Sequence, residues 1–181
     1  MSVQRAFKLF DCLVSPVALY ACEFWFPHVL PIIFFCSKTC LLAGWESFKC
    51  ETINQQCSRL ILSVHRKASR LAILGELGRY PMAIKALAHT LNYRLCLAKK
   101  PANSLIGLAM AEMRVMAQQG KDCWLTRTNK MAEMLNLSCV PYSKSSGQKV
   151  LQNIRAVFIN SGWMRFHPPE LDQMENTTIS C

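Results

Sequence analysis

The feature that most constrains this 181-residue chain is a run of apolar side chains at helical spacing between Pro81 and Pro101. At about 100° per residue, Ile84, Leu87, Ala88, Leu91, Leu95 and Ala98 fall on one stripe. Lys85, His89, Asn92, Tyr93, Lys99 and Lys100 fall on the opposite side, with Arg94 at the flank. Pro81 suits the first turn of such a helix, where a missing N–H costs nothing. A stripe of this kind must be buried against other elements. The rest of the chain supplies helical periods and no strand-like alternation. The expected fold class is therefore all-α: an irregular bundle of about six or seven helices.

The neighbouring elements can be placed in order. Val3 to Leu13 has Phe7, Phe10, Leu13 and Val14 at three- and four-residue steps. Trp45 to Val64 predicts a helix with Trp45, Phe48, Cys57, Leu60, Ile61 and Val64 inward, and with Asn54, Gln55, Gln56 and Arg59 toward solvent. Ser69 is the expected N-cap of a short helix ending at Gly78, although Gly75 lies inside it. Asn103 or Ser104 should cap a helix facing inward through Leu105, Leu108, Ala109, Met113 and Met116, with Gly120 just past its end. Asp122 should cap a helix over 123–137 that buries Trp124, Leu125, Met131, Met134 and Leu135. Residues 141–147 have loop composition, and 149–159 read as a last amphipathic helix.

Residues 24–44 are the most hydrophobic segment. Their longest uncharged run, Phe24 to Ser37, is fourteen residues, short of the about 20 that a spanning helix needs. Pro27 and Pro31 break it. It reads either as a Pro-broken apolar insertion packed on the core or as a membrane anchor that includes Lys38. Arg5 and Lys8 before an apolar run imitate a secretory signal, but Asp11 and Pro16 interrupt it and no cleavage site follows. The expected division is an N-terminal helix (1–23), the insertion (24–44), a basic helical domain (45–162) and a loose tail (163–181). The expected location is intracellular, cytoplasm or nucleus, with the membrane as the alternative.

Charge is concentrated in the middle. Residues 65–130 hold twelve Lys/Arg and three Asp/Glu, against five and four before them and four and four after them. Arg66, Lys67, Arg70, Arg79, Lys85, Arg94, Lys99 and Lys100 face one acid, Glu76, within 66–100. Such a block suits an anionic partner, RNA or DNA before membrane, and Tyr93 adds a ring able to stack on an unpaired base. No catalytic residues, cofactor or small-molecule substrate are expected. The seven glycines form no phosphate loop, the aspartates are never adjacent, and the four histidines have no nearby acid and nucleophile in a recognisable motif. The ten cysteines contain no Cys-x-x-Cys pair, so reduced thiols are expected and no metal site.

Two blocks carry a resemblance. LFDCLVSPVALYACEFW (9–25) resembles the segment just after the polymerase core in the reverse transcriptase polyprotein of vertebrate non-LTR (LINE-type) retrotransposons. Residues 66–113, above all Gly75-Glu-Leu-Gly-Arg-Tyr-Pro81, resemble a stretch further downstream in the same polyproteins. In that family the region is basic and helical and lies behind the palm, where it is expected to hold template RNA or target DNA. The resemblance implies RNA-directed DNA synthesis for the whole polyprotein. The aromatic-Ala-Asp-Asp motif of the palm is not in this chain, so a catalytically inert fragment is implied here. Ala21 stands where the family often has glycine, and 26–44 look like foreign sequence replacing a shorter link.

Overall fold

The structure, a computed structural model, describes residues 2–29 and 48–134 together with Gln152 and Ala156. Among these residues all regular structure is helical: α1 (Val3–Ala18), α2 (Cys22–Val29), α3 (Lys49–Leu62), α4 (Arg70–Glu76), α5 (Met82–Ala98), α6 (Leu105–Gln118) and α7 (Trp124–Met134). The fold is an all-α bundle. Residues 30–44 of the apolar segment, the loop at 141–147, most of the helix expected over 149–159 and the 163–181 tail lie outside the described residues.

α5 is the axis of the molecule, and α2 packs against it more extensively than any other helix. Its stripe is buried as expected through Ile84, Leu87, Ala88 and Leu91. Met82, Ala83, Ala86 and Thr90 are buried as well, so the first half is enclosed nearly all round. The side that spacing marks as polar surface is covered because α1, α2 and α7 pack over it. A second small cluster of Met110, Cys123 and Leu125, with Leu97, Met113 and Trp124 against it, joins the end of α5 to α6 and α7.

Within α1, residues Phe10–Val14 form a π-helical stretch. It lies ahead of Pro16, whose missing N–H leaves the carbonyl one turn back without its helical donor. The wide turn takes about one extra residue and slips the inward face. Phe7 and Phe10 are buried as expected, while Leu13 is 66 % exposed and Ser15 takes the inward position. α1 and α2 meet at a 71° bend. Ala21 sits there with φ 52°, in the left-handed region, and Trp25 Nε1 donates to the Tyr20 carbonyl at 2.9 Å to hold the turn. The expected boundary at 23/24 therefore falls inside a helix: Phe24 to Val29 continue α2, with Phe26 and Pro27 buried. No single helix among the described residues is long and apolar enough to cross a membrane.

α3 departs furthest from expectation. Its buried residues are Glu51, Asn54, Gln55 and Ser58, while Leu60 is 78 % exposed. The reason lies at the start of α5, whose N-cap Pro81 offers no side-chain acceptor. Glu51 Oε2 takes that role from across the bundle, accepting from the Met82 backbone N–H at 2.7 Å, and Asn54 Nδ2 donates to Glu51 Oε1 at 3.2 Å. A polar face is turned inward because a helix end there needs an acceptor.

The punctuation follows local chemistry. α4 ends as expected at Gly78 (φ 59°), with Arg79 N donating to the Leu74 carbonyl and Gly78 N to the Gly75 carbonyl, the paired bonds of a left-handed helix stop. Ser104 Oγ caps α6 by accepting from Gly107 N at 3.0 Å. Gly107 itself must be glycine, because a Cβ there would meet the Pro101 carbonyl at 2.2 Å. In α6 the buried residue is Met110, with Met113 and Met116 half-buried, whereas Leu105 and Leu108 are exposed, contrary to expectation.

Candidate functional site

The cations that spacing places on one basic face are divided by the structure into two sets. The first set is consumed by internal partners. Arg79 donates to both oxygens of Asp11, at 2.8 and 2.7 Å, and its guanidinium lies 4.4 Å from the Phe7 ring centroid. Lys85 Nζ donates to Asp11 Oδ1 at 3.1 Å. One carboxylate of α1 thus holds two cations from the α4–α5 region. Burial works to raise the Asp11 pKa, but the Arg79 hydrogen bond and the Lys85 charge outweigh it and hold the carboxyl below the usual range. Stability from this pair is present above the ordinary carboxyl value of 3.8 and is lost as pH falls through the lower folded value. Burial in turn pushes Lys85 down, with Asp11 opposing.

Arg94 Nη2 donates to Asn129 Oδ1 at 2.6 Å, tying α5 to α7. Tyr93 is a packing residue: its ring meets Phe24 edge-on at 5.3 Å and Trp124 at 6.2 Å. Four of the nine expected nucleic-acid-binding residues (Arg79, Lys85, Tyr93 and Arg94) therefore bind the protein to itself: α1, α2 and α7 cover the side of α5 that carries the last three, and Asp11 of α1 reaches Arg79 in the α4–α5 connector.

The second set stays exposed. Arg66 and Lys67 lie in the α3–α4 connector, Arg70 opens α4, and Lys99 and Lys100 follow α5. Arg70 is close enough to Glu51, at the head of α5, for its charge to oppose the rise that burial imposes on that carboxyl. The seventeen residues of α5 separate this end from Lys99 and Lys100 by about 25 Å. The exposed cations thus form groups at opposite ends of one helix.

The fold also brings together residues that spacing does not connect. Cys22 Sγ, a carboxylate oxygen of Glu23 and a ring nitrogen of His89 all lie within 4.8 Å of one another. The sequence offers His89 no acid and nucleophile nearby. The structure supplies both, 66 and 67 positions away in the chain and one helix crossing away in space. Burial first, and the Glu23 charge second, push the Cys22 thiol up to about 12. Burial lowers the His89 pKa, against the pull of Glu23. Cys22 is wholly buried, and burial of this kind disfavours the thiolate that a nucleophile needs. No signal in the chain could have found the trio, since it depends on how α2 crosses α5. Cys12, Cys22, Cys50, Cys57 and Cys123 are free thiols, whereas Cys96, against the expectation of reduced thiols, is disulfide-bonded.

Comparison with models of protein families, with characterised proteins and with solved structures finds no match to this chain.

Proposed function

We propose that this chain is a catalytically inert counterpart of the basic helical region behind the palm of a non-LTR retrotransposon reverse transcriptase, and that it holds RNA or DNA by its phosphates. The observation that carries the reading is the exposure of Arg66, Lys67 and Arg70 near one end of α5 and of Lys99 and Lys100 at the other. Residues 66–100 hold eight cations and one acid. The resemblance over residues 9–25 and 66–113 supplies the parent class. Contacts of this kind read charge and spacing rather than base sequence.

The test is filter binding of single-stranded RNA and double-stranded DNA by the full chain across a salt series. Arg66, Lys67, Lys99 and Lys100 changed together to Glu should abolish binding at low salt. Removing any one of these cations from a single strand's phosphates should flatten the log–log salt slope by roughly 0.7. Lys85 and Arg94 are kept, because changing them would break the bonds to Asp11 and Asn129 and confuse binding with folding. Undiminished binding by the fourfold variant sinks the reading.

A further inference from the structure

We propose that Cys22, Glu23 and His89 form a binding site for one Zn2+ ion where α2 crosses α5, with a fourth coordination position left for water. The donor set is the first argument. A thiol, an imidazole and a carboxylate are the three side chains that zinc takes, in the mixed sulfur–nitrogen–oxygen combination that suits this borderline ion better than Mg2+ or Ca2+.

The spacing is the second argument. His89 Nδ1 and Glu23 Oε1 are 3.8 Å apart, too far for a hydrogen bond. Two ligand atoms on a tetrahedral ion with bonds of about 2.0–2.3 Å are separated by about 3.3–3.8 Å. The three donor atoms, all within 4.8 Å of one another, therefore need only a small contraction to close on one ion.

The surroundings are the third. Trp124 Nε1 donates to the Glu23 backbone carbonyl at 2.7 Å and so fixes the turn of α2 that presents the carboxylate. Tyr93, one helical turn past His89, packs on Phe24 beside Glu23, which gives the site an apolar flank. Cys22 is wholly buried, while the His89 and Glu23 side chains are 20 % and 18 % exposed, which leaves an opening on one side for the ion to enter. Cys50 is near enough for its charge to bear on Cys22. Binding releases the Cys22 proton to solvent, and the ion supplies the positive charge that the thiolate and Glu23 otherwise lack. Because α2 packs more extensively on α5 than any other helix, an ion here would cross-link the axis of the bundle to the N-terminal segment.

The test uses the full chain, purified and treated with chelator. Titration with Co2+ should give a thiolate-to-metal charge-transfer band with the visible absorption of a tetrahedral ion, at one equivalent, displaced by Zn2+. Zn2+ should also raise the melting temperature progressively as its concentration exceeds the dissociation constant. Cys22→Ala should abolish the band, and Glu23→Gln and His89→Gln should weaken binding at least about tenfold. Cys12→Ser, at an exposed thiol outside the cluster, should change nothing. If Cys22→Ala fails to fold, the two Gln variants, checked by circular dichroism, still decide. No band from the folded wild-type chain, or a band that survives His89→Gln and Glu23→Gln at full affinity, overturns the proposal.

Discussion

α5 and α3 pack against each other and are built on opposite plans. α5 buries an apolar stripe and then most of the remaining circumference of its first half. α3 turns Glu51, Asn54, Gln55 and Ser58 inward and leaves Leu60 in water. The first plan is stabilised by apolar area removed from solvent. The second is stabilised by satisfying backbone donors that the first helix leaves open at its N-terminus. Burial raises the Glu51 pKa against the hydrogen bond from Met82. Ionising Glu51 therefore costs stability as pH climbs from the ordinary 4.5 through the raised folded value, while the cap it provides is strongest when ionised. Amphipathic spacing shows that a helix has two faces; it does not show which of them its neighbour requires.

The contrast can be broken at several points. Leu91→Ala, which empties a fully buried position on the α5 stripe, should cost about 3 kcal/mol in chemical denaturation, with the midpoint falling and the slope preserved. Glu51→Ala should cost about 2 kcal/mol, since it orphans the Met82 N–H and the Asn54 amide inside the bundle. If that variant proved neutral, the inward polar face of α3 would have no structural purpose. Ala21→Gly should stabilise by about 0.5 kcal/mol, because relief of the left-handed backbone slightly exceeds the entropy that glycine adds to the unfolded chain. Leu60→Lys, on the apolar side of α3 that faces water, should stay within about 0.5 kcal/mol of wild type. A loss as large as that of Glu51→Ala would restore the inward face that spacing alone suggests.

The same division explains the candidate interface. Arg66, Lys67, Lys99 and Lys100 lie in a connector or beyond a helix end and stay exposed. Arg79, Lys85 and Arg94 look equivalent to them in sequence, but Asp11 and Asn129 reach them from helices 68, 74 and 35 positions away. Ala21 is the intermediate case. Its residue type gives no hint of a turn, and the bend between α1 and α2 holds it in the left-handed region.

Local chemistry determined the elements of this protein. Apolar spacing made α5, Ser104 began α6, Gly78 ended α4, and none of these needed a distant residue, since caps, stops and periods act over four or five positions. Tertiary structure alone decided how each helix is rolled, which cations are spent on Asp11 and Asn129, and that Cys22 and Glu23 meet His89. Those outcomes depend on what lies across the helix–helix interface, and a pattern that repeats every few residues carries no information about a partner far along the chain.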